Sequence, residues 1–213
     1  MTRRILQRTA EIATFPNVIQ TQKELKGRWN IDYFKNNNPV ILELGCGKGE
    51  YSIELSLKYP QKNFIGIDNR SARIWKGAKT ALTENIANVA FLNINIQDIT
   101  DFFDEQEITE IWIPFPDPYP KIRHSKHRLT SPRFLDLYRK ILKNGGLIHL
   151  KTDDWNLFNY SKEIIIKESG TIHKAIEDLY NTKMQNALLY INTTYERRYL
   201  KQGRIIRYLC FSL

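Results

Sequence analysis

Cysteine is scarce in this chain: its 213 residues contain two, Cys46 and Cys210. Two thiols make no disulfide framework. Without a CxxC pair or a Cys/His cluster the sequence also offers no zinc signature, so no metal is expected. A reducing cytoplasm suits such a chain, and the Asn-x-Thr at Asn192 then has no meaning as a glycan acceptor. Long apolar runs are absent too, and none approaches the length that spans a bilayer. The opening "MTRRILQRTAEIATF" is broken by Gln7, Arg8 and Glu11, which argues against a signal peptide. The expectation is a cytoplasmic protein with no membrane segment.

Acids are missing from one stretch in particular. From Lys121 to Arg133 there are seven Lys, Arg or His residues and no Asp or Glu. Just before it a single carboxylate, Asp117, stands among Pro116, Pro118 and Pro120. A rigid turn holding one acid beside a cationic surface suggests a reactive centre that receives a polyanion. The net charge of +9 is unevenly spread: residues 1–38 hold seven Lys/Arg against three acids, residues 121–133 five against none, and residues 196–207 five against one. A merely soluble surface mixes its charges. Concentrated cation suits a phosphate backbone, so a nucleic acid is the expected partner.

What is present is ordinary for a globular chain, with 42% hydrophobic and 26% charged residues. This length supports one α/β domain with a sizeable core. Residues 1–38 lack clear periodicity, end in "KNNNP", and are expected to form a basic N-terminal arm, or a short helix with loops, before a domain spanning 39–213. From Pro39 the texture changes. "VILELG", "NFIGID", "VAFLNI", "EIWIPF" and "LIHLKTD" are short apolar runs that predict buried strands. Between and after them, "EYSIELSLKY", "SARIWKGAKTALTEN", "SPRFLDLYRKILKNGG" and "WNLFNYSKEIIIKES" have helical spacing. Ser71 and Ser131 are the expected N-caps of the second and third of these helices, and glycines are expected to end the third. "RIIRYLCFSL" is the clearest of the late strands. The alternation predicts a Rossmann-like, doubly wound, mostly parallel sheet of about seven strands with helices on both faces. Ligands in such folds bind beyond the carboxyl ends of the strands.

The loop after the first of these strands reads "ELGCGKG". Gly45, Gly47 and Gly49 permit a tight strand-to-helix turn and close approach of a ligand. Their G-x-G-x-G spacing departs from the G-x-G-x-x-G of dinucleotide sites, and Glu43 lies two residues before the first glycine. This resembles the first motif of S-adenosylmethionine-dependent methyltransferases, whose cofactor carries an ammonium group that Glu43 suits. Asp68 ends the second strand, where an acid accepts hydrogen bonds from ribose hydroxyls. Asn95, after the third strand, is the candidate for the adenine edge, with Asp98 as its competitor.

The stretch "FPDPYPKIRHSKHRLT" follows the fourth strand. It closely resembles the signature of the tRNA (guanine-N7)-methyltransferases, approximately F-P-D-P-W-P-K-K-R-H-x-K-R-R-L. Tyr119, Ile122 and His127 depart from it, the first keeping an aromatic ring and the others removing cations. "KTDDW", with Thr152 and Asp153, and "TTYERRYLKQG", with Thr193, Tyr195, Glu196 and Gly203, resemble further segments of the same family. The three motifs occur in the family's order, and the resemblance covers residues 40–211. Many members carry an acid where this chain has Asn95.

The resemblance implies methyl transfer from S-adenosylmethionine to N7 of the variable-loop guanosine, position 46 of tRNA, by a monomer or homodimer. Glu43, Gly45, Gly47, Gly49, Asp68, Asn95 and Asp117 would hold the cofactor. Asp117 would also act at the target base. Lys121, Arg123, Asp153, Thr193, Tyr195 and Glu196 would hold the substrate, with Lys126 and Arg128 on the tRNA backbone. Two alternatives stay open: methylation of an exocyclic base amine, whose loop needs one more proline than Asp117-Pro118-Tyr119 supplies, and a noncatalytic RNA-binding module.

Overall fold

The computed structural model describes residues 3–182, 187–191 and 193–213, so Asn192 lies outside the described residues. Its centre is one eight-stranded sheet in the order β1-β4-β3-β2-β5-β6-β8-β7. The strands are β1 (Val18–Ile19), β2 (Val40–Leu44), β3 (Asn63–Ile67), β4 (Val89–Leu92), β5 (Ile108–Pro114), β6 (Leu142–Thr152), β7 (Thr171–Ile176) and β8 (Arg207–Ser212). All pairings are parallel except those of β8, which runs antiparallel to both β6 and β7.

Every residue of β2, β3 and β4 is buried, as continuous apolar runs in a sheet covered on both faces require. The two-residue period still divides them. Val40, Leu42, Leu44, Ile65, Ile67, Ala90 and Leu92 join one hydrophobic cluster, while Ile41, Phe64, Val89 and Phe91 join the other. The helices α1 (Arg3–Ile12), α2 (Glu50–Lys58), α3 (Ser71–Thr83), α4 (Pro132–Ile141), α5 (Trp155–Lys167) and α6 (Thr194–Lys201) complete the layers and the rim of the sheet's carboxyl end.

Local chemistry differs from expectation in a few places. Ser71 is the first residue of α3 rather than its cap, and its hydroxyl donates to Asn93 Oδ1 at 2.9 Å. Ser131 is the N-cap of α4, with Pro132 next, but its hydroxyl donates to Lys126 O and not to the helix. That helix stops at Ile141, because Leu142 already pairs with Ile108 and Lys143–Gly146 continue into β6 past a bulge. Asp154, not anticipated as a cap, accepts from Leu157 N at 2.6 Å and starts α5.

Residues 3–38 are tied to the sheet. Val18 and Ile19 add the edge strand beside β4, and Trp29, inside a π-helical turn (Trp29–Phe34), is fully buried against Phe103 at 5.5 Å. Glu11 of α1 accepts from Trp75 Nε1 at 2.7 Å and from Lys79 Nζ at 2.9 Å, which fastens α1 to α3. Two glycines set the spacing of α3 against the loop after β2. A Cβ on Gly77 would stand 2.7 Å from Lys48 O, and one on Gly49 would strike the Phe91 ring.

Candidate active site at the sheet's switch point

Crossovers from β2 run one way along the sheet, through β3 and β4, while β5 leads the other way to β6. The loops after β2 and β5 therefore part and leave a crevice, the site that this class of sheet offers to ligands. Two adjoining cavities of about 240 and 230 Å³ fill it, and both are lined by Gly45, Arg73, Phe115 and Asp117.

The loop after β2 supplies backbone. Gly45 holds φ +73°, and a Cβ there would project into open space, which is the cavity itself. Glu43 lies at its floor, 4% exposed, accepting from Ser52 N at 2.9 Å and from the Ser52 hydroxyl. Burial pushes its carboxyl up to about 8, against the hydrogen bonds from Ser52. No cation pairs with it among the described residues, so it is a desolvated acid that an incoming ammonium would stabilise. Asp68 holds the loop: its carboxylate accepts from Gly47 N at 2.9 Å and Arg70 N at 2.8 Å, and it faces the first cavity beside Ile94 and Ile96. Asn95 does not line either cavity. Its side chain is exposed and accepts from Asn69 Nδ2 at 3.1 Å, and Asn69 is the residue that reaches the wall.

The loop after β5 supplies the exposed acid. Phe115 and Tyr119 sit at φ +52° and +43°, a left-handed backbone that non-glycine residues adopt at a cost of about 1–3 kcal/mol each. Surrounding bonds enforce it. Phe115 N donates to Lys151 O at 2.8 Å. Arg128, 7% exposed, donates through Nε to Pro118 O at 3.1 Å and through Nη2 to Tyr119 O at 3.0 Å, with its guanidinium 4.2 Å from the Tyr160 ring centroid. The expectation that Arg128 grips a tRNA backbone is corrected: the guanidinium is buried, and its Nε and Nη2 donate to the loop's own carbonyls. Between the two strained residues Asp117 is exposed and faces both cavities. Lys121, Arg123 and Lys126 follow on the outer surface.

The third wall comes from α6. Thr193 caps it, accepting from Glu196 N at 3.2 Å, and Thr193, Tyr195 and Tyr199 line the second cavity. Glu196 itself is fully buried, ion-paired with Lys151 Nζ at 2.6 Å and accepting from Tyr180 OH at 3.0 Å. Asp153 lines neither cavity and pairs with Arg204. Of the residues singled out from sequence, the crevice thus gathers Glu43, Gly45, Gly47, Asp68, Asp117, Thr193 and Tyr195, while Gly49 lines neither cavity and faces Phe91 and Gly77 instead. Asn95, Asp153, Glu196, Lys121 and Arg123 stand around it.

Sequence reasoning missed Arg73, which lines both cavities from the first turn of α3, and Lys48 and Tyr199 beside the second. A signal existed for Arg73: a helix that starts next to a ribose-type acid turns its first residues toward the same crevice. Among the described residues no His/Cys/Asp/Glu group could hold a metal, and no helix is long and apolar enough to cross a membrane.

The donor set fits S-adenosylmethionine: an unpaired buried acid for an ammonium, a second acid at the ribose position, bare glycine backbone, and Ile94 and Ile96 against a flat ring. Solved structures agree with the fold. An antibiotic-related methyltransferase superposes with a TM-score of 0.65 at 16% identity, covering 92% of this chain and 95% of that one. The 16S rRNA methyltransferase KamB gives 0.64 at 11%, covering 86% and 91%. A family model described as "Putative methyltransferase" matches residues 37–209. The tRNA (guanine-N(7)-)-methyltransferase of Porphyromonas gingivalis is 46% identical, over 94% of this chain and 86% of the relative. That of Christiangramia forsetii is 45% identical, over 98% and 97%. With the crevice, the fold and these relatives in agreement, the chain belongs to the tRNA (guanine-N7)-methyltransferase family.

Proposed function

We propose that this protein methylates N7 of the variable-loop guanosine at position 46 of tRNA, in the cytoplasm, with S-adenosylmethionine as donor. The observation that carries the reading is Asp117, an exposed acid held on a strained loop between the two halves of the crevice. When bound, the cofactor supplies an electrophilic methyl group. Glu43 would hold its ammonium end and Asp68 its ribose, with the backbone of Gly45 and Gly47 left bare beside them.

Guanine N7 carries an in-plane lone pair and no proton, so no general base is needed. The residues' work is alignment and electrostatic support. Asp117 accepts hydrogen bonds from the guanine N1–H and N2–H₂ edge and faces the positive charge that the purine gains. Thr193 and Tyr195 close the opposite wall, and Lys121 and Arg123 bind backbone phosphate outside. Asp153 and Glu196 position this wall through Arg204 and Lys151. Residues 39–213 carry the crevice, and residues 3–38, which complete the same sheet and core, add basic charge on the RNA side.

The test uses labelled cofactor and two transcripts of one tRNA, one of them with its variable-loop guanosine changed to adenosine. Label on the first alone, released as 7-methylguanine, is the expected outcome. Equal label on both moves the target elsewhere. Asp117→Asn should melt like the parent and lose about 10²–10³ in turnover, the cost of one preorganised electrostatic contact; full turnover would remove Asp117 from the chemistry.

A further inference from the structure

Beside the crevice lies a third concavity of about 310 Å³, walled by α1, α3 and the glycine loop. Arg4, Arg8, Lys48, Arg73 and Lys76 line it, with Ala72 the one uncharged wall residue. Among the described residues no carboxylate lies within 4.0 Å of Arg4, Arg8, Lys48 or Arg73, and Lys76 meets Glu50 only at 3.8 Å. Glu50 is itself engaged, accepting from the Thr194 amide and hydroxyl. Burial would raise its carboxyl, but those bonds and the charges of Lys76 and Lys48 hold it below the ordinary value.

Five cations around one hollow repel one another, and the fold holds them there. Glu11 fastens α1 to Trp75 and Lys79, and Arg8 lies 4.4 Å from the Trp75 ring centroid. The hollow shares Arg73 with both cavities of the crevice and Lys48 with the second. An anion bound here is therefore next to the site of methyl transfer. The contributing residues come from three separate places in the chain, and Arg4 and Arg8 belong to the segment that the family motifs do not reach.

We infer that this hollow is a phosphate subsite, seating the RNA backbone next to the target nucleotide and thereby setting how that nucleotide enters the crevice. The inference rests on the RNA reading of the site. It assigns α1 a part in substrate binding that the basic stretch after Asp117 does not duplicate. Backbone phosphates release condensed counterions when such cations replace them, so each contact adds about 0.7–0.9 to the slope of log affinity against log salt.

The experiment compares the parent with Arg4→Ala/Lys76→Ala and with the charge-keeping Arg4→Lys/Lys76→Arg, using full-length tRNA between low and moderate salt. Melting temperature and calorimetric binding of S-adenosylhomocysteine report an intact fold and cofactor site. The expected result is a salt slope lower by about 1.4–1.8 in the alanine variant, a raised KM for tRNA, and parent-like values in the charge-keeping one. An unchanged slope, or weaker binding with the slope retained, overturns the subsite while leaving the methyltransferase reading in place. Failure of the parent itself to bind or label tRNA would remove the RNA reading and the subsite with it.

Discussion

Glu43 shows how one side chain links cofactor and stability. Its carboxyl is 4% exposed and burial raises it from 4.5 to about 8. Between those values the folded chain keeps a proton that the unfolded chain has released. The stabilisation is intact below about pH 4.5 and is lost progressively as pH climbs to about 8. Glu43→Gln, which cannot ionise, should match the parent near pH 4.5 and exceed it near pH 8.5. The gain should be a few kcal/mol, each pKa unit being about 1.4 kcal/mol. Urea titrations at the two pH values check this, and parallel curves at both would show that the carboxyl ionises freely. Arg128 argues the opposite lesson about sequence. It stands in a run of cations and reads as one more phosphate contact, yet it is buried on the Pro118 and Tyr119 carbonyls. Spacing shows charge and does not show where a guanidinium points. Arg128→Ala should cost about 2–4 kcal/mol of stability, from buried charge-assisted bonds left unmade, with turnover falling as the loop relaxes. A melting point within a degree of the parent's would return Arg128 to the RNA surface.

Among the elements, β6 and α6 depend on a buried pair. Lys151 and Glu196 are both fully buried. Burial pushes the ammonium down and the carboxyl up, each toward its neutral form, while their mutual attraction opposes it. Lys151→Met leaves Glu196 without its partner and should cost about 3–5 kcal/mol. Lys151→Met/Glu196→Leu should recover most of that stability. It should not recover the tRNA KM, because Thr193 and Tyr195 then lose the anchor of their helix. A double variant with parent kinetics would reduce the pair to packing. The long elements were legible in the sequence because their signals are strong: β2 to β6 are apolar runs closed by loop residues, and α5 shows helical spacing. β1 was not, since two residues have no period. Nor was the π-helical turn around Trp29, whose burial depends on Phe103 far along the chain. Glu196 was legible as a motif residue, but its partner Lys151 is 45 positions away and was not.

At the scale of the whole molecule, charge and fold are arranged together. A net charge of +9 on a sheet whose active end is ringed by Lys121, Arg123, Lys126 and the α1–α3 hollow should give steep salt dependence. Neutralising Lys121, Arg123 and Lys126 together should lower the slope of log affinity against log salt by about 2–3, measured by filter binding, while cofactor affinity stays level. An unaltered slope would assign the RNA face to other surfaces. The doubly wound plan and its crevice were readable because strand–helix alternation and the G-x-G-x-G loop are local. The seating of residues 3–38 was not, because Ile12, Val18 and Trp29 bury against partners that no local pattern announces. Gly49 and Gly77 carry one more consequence. A Cβ on either would collide with the Phe91 ring, and one on Gly77 would also strike the Lys48 carbonyl. Across a lineage neither position can drift alone, since a side chain at one moves the cofactor loop and the arginine-bearing helix together. A library randomised at 49, 77 and 91 should return glycine at 77 throughout, and any other residue at 49 should arrive with a smaller residue at 91 in the same clone.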